Sequence, residues 1–492
     1  MTDFICKPRY TVDSICDIIR NERGLINVKR FLWALSVNGI RKNDPRLKDL
    51  MESMQHIITL SKREAKFSGT HRAPHHHYVP YLETEEFKQL ISNHLPILDS
   101  VLQRNLVVPD WKEFCDDIYE IYMKCKENCN GEPACYIPNL ARVNPDLWAV
   151  SICTVDGQRF SAGDCKVPFS IQSTSKPINY AIALNQVGPD EVHKYVGQEP
   201  SGRTFNELVL DHNNKPHNPM INAGAITVCS LLDRGHSAAE RFDRVFQLYQ
   251  KMAGDEYIGF SNAIYLSECE TADRNFAISY FLRENKCFPP DTNMKETLEL
   301  YFQLCSIEAN ADSLAVIAAT LANGGVCPIT SEAVLDSACI QHVLSLMHSC
   351  GMYDYSGQFS FKVGLPAKSG VSGAVLLVVP NVMGVCLYSP RLDVHGNSCR
   401  GVEFSEKFIK KFNFHVYDNV RHTHGKVDPR RRRNERIEDA RSYLRRSSVE
   451  FARENFDDLY ITGAADFSNV TSRCSSPSFA ENGSVKEPND ED

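Results

Sequence analysis

Apolar residues in the first 130 positions recur at helical spacing. After Asp44-Pro45, which puts a capping side chain before a proline at the first helical position, Leu47, Leu50, Met51, Met54, Ile57 and Ile58 share one face and predict a helix with one buried side. The stretch from Phe67 to Pro80 breaks the period and reads as a loop; its three consecutive histidines, His75, His76 and His77, do not share a helical face. The turn-rich segment Glu127 to Pro133 then marks a change of grammar. Trp148 to Val155 favours a strand and ends at the hairpin signal Asp156-Gly157. Two further apolar runs, Ala374 to Val379 and Val382 to Tyr388, flank Pro380-Asn381 and predict a second hairpin. Between these strand regions almost everything reads as helix. Phe242, Val245, Phe246, Tyr249 and Met252 line one face, and Asp312 is placed to cap a run from Ser313 to Asn323 that stops at Gly324-Gly325. Early strands, a central helical block and late strands together imply an α+β fold, an antiparallel sheet covered by helices.

From Asp428 the chain turns basic, with Arg430 to Arg433 in a row, which reads as a solvated linker. Ile437, Ala440, Leu444 and Phe451 then suit one amphipathic helix, and Arg445-Arg446-Ser447-Ser448 is a weak kinase pattern. From about Asp466 the tail is polar and is expected to be disordered. The expected organisation is a helical domain over 1–130, a catalytic domain over 136–425, a basic linker and helix over 426–465, and a polar tail over 466–492.

Composition narrows the function more by exclusion than by suggestion. A net charge of −8 and a pI near 6.1 give no reason to expect nucleic acid as a partner. No apolar run approaches the roughly 18–20 residues of a membrane span. The 18 cysteines are scattered, and the start, MTDFICKPRY, lacks the apolar core of a secretory signal, so they read as reduced, mostly buried thiols. Cys115, Cys125, Cys129 and Cys135 match none of the usual zinc spacings. The sequons at Asn469 and Asn482 then read as chance matches.

The feature that points to chemistry is Ser173-Thr174-Ser175-Lys176, at a strand-to-helix junction. Positions three apart on a helix share a face, which brings the Lys176 amine to the Ser173 hydroxyl. A neutral lysine there accepts the hydroxyl proton as serine attacks a carbonyl carbon. Moving a lysine from about 10.4 to neutral pH takes roughly 4.6 kcal/mol of bias against the charged form, which burial and neighbouring donors must supply. Pro177 sits within the first turn, where its missing N–H costs little. Lys368-Ser369-Gly370, just before the Ala374 strand, completes the S-x-x-K and K-[ST]-G pairing used by serine β-lactamases and penicillin-binding proteins. The backbone N–H groups of Val371 and Ser173 are then candidate oxyanion donors.

Longer runs carry a resemblance to a family. Pro145-Asp146-Leu147-Trp148, Gln172-Ser173 with Lys176-Pro177, Lys215 to Met220, Asn222 to Ile226, Gly259 to Asn262, Tyr301 to Ser306, His348 to Tyr353 and Gly364 to Gly370 follow one another in order. From Tyr136 to about Pro429 the chain resembles the catalytic domain of the phosphate-activated glutaminases of animals, and the region around Asn43 to Leu47 resembles that family's N-terminal, EF-hand-like helical domain. The resemblance implies a β-lactamase-like fold and hydrolysis of L-glutamine to L-glutamate and ammonia, with no metal and no organic cofactor. It implies Ser173 as nucleophile, Lys176 as its base, Tyr353 as an aid to proton transfer and Val371 at the oxyanion. Tyr136, Ser173, Asn222, Glu268, Asn275, Tyr301, Tyr353 and Val371 then bind glutamine. The chemistry is apt: the substrate's ammonium wants a carboxylate, which Glu268 has, and its carboxylate wants neutral donors.

The resemblance further implies a homotetramer or larger assembly, phosphate as an activator, and an activation loop over Gly197 to Leu210. Glu207, in that loop, is a variable position of the family. The tail shows no ankyrin pattern, and the N-terminal part no calcium-loop pattern. Mitochondria are the expected compartment, with the cytoplasm as the alternative because the first twenty residues are unlike a transit peptide. Two other readings stand beside this one: a β-lactam or peptide acylase on the same fold, and an inactive scaffold relative.

Overall fold

A computed structural model of the chain describes residues 12–21, 23–67, 81–102, 105–202, 204–419 and 425–435. The expectations for His75 to His77, for the helix from Ile437, for the kinase pattern, for the two sequons and for the polar tail lie outside these residues. Two compact units divide the chain, Met1–Arg432 and Arg433–Asp492, and only 433–435 of the second is described.

At the N-terminal end, five helices (Val12–Ile19, Val28–Val37, Lys48–Phe67, Thr84–Ile91 and Leu95–Leu102) enclose a small core. Leu25–Asn27 pairs antiparallel with Tyr81–Glu83 beside them. Asp44 caps as expected, accepting from the Arg46 N–H, and a 3-10 turn over Pro45–Leu47 leads into the Lys48–Phe67 helix. Leu47, Leu50 and Met54 are buried against Phe31 and Phe87, whose rings meet edge to face at 5.1 Å. This core ends at Leu106. The next helix, Trp111–Lys126, packs elsewhere: Tyr122 stacks on Trp148 at 5.7 Å, and the Trp148 indole N–H donates to the Tyr122 carbonyl at 3.1 Å.

The central sheet has five strands: β1 (Ala149–Thr154), β2 (Arg159–Gly163), β3 (Ala367–Ser369), β4 (Ala374–Val379) and β5 (Met383–Tyr388). Their order is β2-β1-β5-β4-β3, and every pair is antiparallel. Both expected hairpins are present, β1–β2 around Asp156-Gly157 and β4–β5 around Pro380-Asn381. Every residue of β1, β4 and β5 is buried, because helices cover both faces. Alternate side chains divide between two cores. Leu376, Val378 and Cys386 face the central helical block, whereas Val375, Leu377, Val385 and Leu387 face the helices Trp111–Lys126 and Cys399–Lys411.

The helix Ala311–Ala322 crosses the sheet and is buried along its whole length. Its cap differs from the expectation. Asn310 caps it, accepting from the Ser313 N–H at 3.0 Å in a reciprocal capping box. Asp312 lies one residue inside the helix and turns toward the sheet, where four donors converge on it. Arg41 of the N-terminal part binds it through both terminal nitrogens at 3.1 and 3.2 Å, Ser151 donates at 2.7 Å, Lys166 lies at 2.8 Å, and Ser161 also donates. Its acidity follows from these contacts: burial opposes the charge, but the Arg41, Lys166 and Ser161 donors outweigh it and hold the carboxyl well below the usual range.

A second sheet was not legible in the apolar pattern. Phe169–Ser170, Ile307–Ala309 and Ile258–Phe260 pair antiparallel, too short to show a period. The described cysteines are all free and mostly buried; Cys129 and Cys135 are exposed. Arg430, in the expected solvated linker, is exposed; it pairs with Asp428 at 2.7 and 3.0 Å and lies 5.5 Å from the Phe414 ring. Among the described residues no helix is long and apolar enough to cross a membrane, and no group of three or more His, Cys, Asp or Glu is placed to hold a metal ion.

Strand β3 reaches the site through a close backbone contact. Ser369 N–H donates to the Gly351 carbonyl at 3.1 Å, and a β-carbon on Gly351 would stand 1.7 Å from the Ala367 carbonyl oxygen. Backbone cannot yield there as a flexible side chain would. Gly351→Ala is therefore expected to cost at least about 2 kcal/mol, read as a lower urea midpoint at unchanged slope, with activity falling in parallel.

Candidate active site

Seven elements bring the candidate side chains together at the end of β3. Gln172–Thr174 forms a 3-10 turn and Ser175–Val187 the helix that continues it, so Ser173 stands just before the first α-turn and Lys176 within it. The expected juxtaposition is there: Lys176 Nζ lies 3.0 Å from Ser173 Oγ. The lysine is 1% exposed, and its second partner is Asn222 Oδ1 at 2.7 Å, on the first residue of the helix Asn222–Cys229. Burial lowers the amine to about 8, against an opposing pull from Cys305, Cys229 and Glu268. Lys176 is thus partly neutral near physiological pH.

Asn222 passes the contact on. Its Nδ2 donates to Asn275 Oδ1 at 3.1 Å, in the first turn of Asp273–Glu284. Glu268, from the helix Asn262–Glu270, accepts from the Tyr136 hydroxyl at 2.7 Å. The Tyr136 ring is 46% exposed, but its hydroxyl end points inward. Burial raises the Glu268 carboxyl, while the Tyr136 and Gln172 hydrogen bonds restrain the rise. Tyr301, on Met294–Cys305, is buried, and its phenol is pushed well up by burial and by Cys305 and Glu268.

Tyr353 begins a 3-10 turn with φ of +51°, in the left-handed region that ordinary side chains avoid. Its hydroxyl is buried without a well-aligned partner among the described residues. Burial raises this phenol, and the nearby Ser173 hydroxyl offsets part of the rise. Val371 packs on the small cluster of Ile137, Leu140 and Ile264. Gly370 lets this end of β3 approach the turn that carries Ser173: a β-carbon there would lie 3.0 Å from the Ile171 carbonyl and 3.3 Å from Thr174 Cγ2.

Two contributors escaped the sequence reading. Gln172 bridges the ends of the pocket, donating to Glu268 Oε1 at 3.0 Å and accepting from the Tyr136 hydroxyl at 3.2 Å, with φ of +49°. Its position beside the nucleophile was the available signal. Phe205, in the expected activation-loop segment, lies 5.0 Å from the Tyr353 ring, and its ring is 6.0 Å from Lys176 Nζ. The Asn222 N–H fixes its carbonyl at 3.0 Å. Outside Phe205 and Tyr353 opens a cleft of about 560 Å³, lined also by Thr204, Glu207, Cys350 and Ser356.

A half-buried serine beside a buried lysine, with a carboxylate, three amides and three phenols around them, can be compared with known proteins. The family model for Glutaminase matches residues 131–417. The chain belongs to the glutaminase family. An EF-hand domain model matches residues 11–109, in agreement with the helical N-terminal part. A glutaminase relative from Caenorhabditis elegans is 54% identical over 408 residues, which is 82% of this chain and 66% of the relative. The mouse Glutaminase liver isoform, mitochondrial, is 51% identical over 406 residues, 82% of this chain and 65% of that protein. The chain thus spans about two thirds of the length of these relatives. Among solved structures, Probable glutaminase ybaS superposes with a TM-score of 0.60 at 36% identity, covering 63% of this chain and 99% of that one. Mglu in its tris and glutamate form gives a TM-score of 0.59 at 36% identity, covering 62% of this chain and 68% of that one. The fold is the α+β, β-lactamase-like arrangement expected from the family, with an EF-hand-like helical part before it.

Proposed function

We propose that the chain hydrolyses L-glutamine to L-glutamate and ammonia through an acyl-enzyme on Ser173. The observation that carries this reading is the 3.0 Å contact between Ser173 Oγ and a buried Lys176 whose amine is lowered to about 8. Lys176 takes the hydroxyl proton as Ser173 Oγ bonds to the side-chain amide carbon. The oxyanion so formed rests on the N–H groups of Ser173 and Val371. As the C–N bond breaks, Lys176 or Tyr353 returns the proton to the departing nitrogen, which leaves as ammonia. Water then adds to the ester, gives its proton back through the same groups, and releases glutamate. Glu268 holds the substrate ammonium, oriented by Tyr136 and Gln172, while Asn222, Asn275 and Tyr301 offer neutral donors to its α-carboxylate.

Mglu has been solved in a glutamate form, which supports an amino-acid ligand at this pocket. The reading extends to a homotetramer or larger assembly, to phosphate as activator, and to the mitochondrion, the compartment in the names of the mouse and rat relatives. Assay of the purified protein should give one glutamate and one ammonia per glutamine consumed, with and without phosphate. Turnover of a chromogenic β-lactam with glutamine untouched would sink the reading.

The pH dependence follows from the base. Only neutral Lys176 accepts a proton, and its amine is lowered to about 8. kcat/KM is therefore expected to climb roughly tenfold per pH unit well below that value and to level off above it. A flat profile between pH 6 and 9 would remove Lys176 from that role.

A further inference from the structure

A second buried lysine borders the pocket, and the mechanism above does not use it. Lys368, the middle residue of β3, is 0% exposed. Among the described residues its amine makes one hydrogen bond, to the neighbouring Ser369 carbonyl at 2.8 Å, and it lies 4.5 Å from the centroid of the Tyr353 ring. A fully buried amine with a single hydrogen bond is costly, since the other N–H groups lose water without gaining a partner. An apolar side chain of similar length would hold this strand position more cheaply. A lysine that stabilises the fold less than methionine would needs another reason to be there.

That reason lies in what it touches. The β3 backbone is already tied to the turn carrying Tyr353 by the Ser369–Gly351 hydrogen bond, so the lysine is not required to join the two. What the amine adds is a contact to the ring face of Tyr353, whose backbone is strained and whose hydroxyl makes no well-aligned hydrogen bond among the described residues. Phe205 flanks the same ring at 5.0 Å. The charged and titratable groups acting on Lys368 are Lys176, Cys350 and Cys305; burial first, then the positive charge of Lys176, drives its amine toward the neutral form. The two lysines therefore disfavour carrying a proton at the same time.

We infer that Lys368 is a positioning residue for the proposed reaction, holding the Tyr353 ring so that its hydroxyl meets Ser173 and the departing nitrogen. The inference rests on the glutaminase reading, and one experiment separates the two. Wild type, Lys368→Met, Tyr353→Phe and the double variant are compared for glutamine turnover and thermal midpoint. Lys368→Met is expected to keep or raise the midpoint while lowering kcat at least about tenfold, with KM within about twofold, because a misplaced proton donor forfeits part of the 10²–10⁴ that such groups contribute. In the Tyr353→Phe background the same change should alter kcat by less than about twofold. Lys368→Arg, which restores N–H donors toward the ring face, should recover part of the loss.

A Lys368→Met protein with wild-type kcat, or one that loses kcat equally with and without the Tyr353 hydroxyl, overturns the inference and leaves the glutaminase reading standing. A lower midpoint with unchanged kcat assigns the lysine to packing and overturns it too. No glutamine turnover by the wild type overturns both.

Discussion

Replacing Ser173 with alanine is expected to lower kcat by at least about 10⁴-fold, because removal of a nucleophile leaves only the rate that binding and oxyanion stabilisation provide. Stability should hardly change. The hydroxyl is half-buried and its contact is the 3.0 Å one with Lys176, which retains Asn222 Oδ1 at 2.7 Å. The thermal midpoint then separates a chemical loss from a folding loss. Lys176→Met should fall almost as far, and the double variant no further than the worse single, since the two act as one unit. Mass spectrometry after rapid quenching with glutamine should reveal an added glutamyl group on the wild type and none on Ser173→Ala. A Ser173→Ala protein that retains even a tenth of wild-type turnover would move the nucleophile elsewhere.

The second large effect concerns stability. Arg41→Ala strips the bidentate partner from Asp312, a carboxylate whose side chain is 1% exposed beneath the sheet. Removing one member of such a pair costs about 3–5 kcal/mol, chiefly because the other charge stays buried. Lys166 and the Ser151 and Ser161 hydroxyls remain, so the lower end is expected. Urea unfolding would report it, and the loss should shrink in an Asp312→Asn background. The pH dependence has a definite sign. Burial opposes the Asp312 charge, but the Arg41, Lys166 and Ser161 donors hold its carboxyl well below the usual range. Its contribution is therefore fully present above the unfolded value near 3.9 and disappears as pH falls through the depressed folded one. The Arg41 variant should accordingly unfold in acid at a higher pH than wild type.

These two sites differ in how legible they were. Serine and lysine three apart at a strand-to-helix junction state their geometry locally, and the pair stands within hydrogen-bond reach at 3.0 Å. The two hairpins were legible because turn residues and strand residues alternate within a dozen positions. Asp312 was misplaced because a capping side chain and a buried acid look alike before a helical run. The choice fell to Asn310, whose amide closes a capping box with Ser313, and Asp312 was drawn inward by donors from Arg41, Ser151 and Lys166, far away in sequence. No local pattern reports such long-range partners. The three short strands beside the Ser173 turn were hidden for a simpler reason: two or three residues cannot show a period. Gln172 and Tyr353 share a subtler concealment, since nothing in their residue types announces backbone angles of +49° and +51°. For the outer binding residues the physical reading alone was weak. Glu268 stands in an acidic run and would pass for a solvated side chain, and only the family's pattern drew attention to it before its hydrogen bonds to Tyr136 and Gln172 were visible.

The exposed thiols open a practical route to watching this pocket. Cys129 and Cys135 are exposed, and Cys135 immediately precedes Tyr136, whose hydroxyl donates to Glu268 at 2.7 Å. Cys6 and Cys474 lie outside the described residues, so serine at those two positions, at Cys129 and at the partly exposed Cys115, Cys269, Cys350 and Cys399 leaves Cys135 as the exposed target for a small maleimide dye. A fluorophore at that point sits one residue from Tyr136, the hydrogen-bond donor to Glu268, which is the proposed partner of the substrate ammonium. Its emission becomes an optical record of ligand arrival and departure, readable in real time and independent of any assay for ammonia.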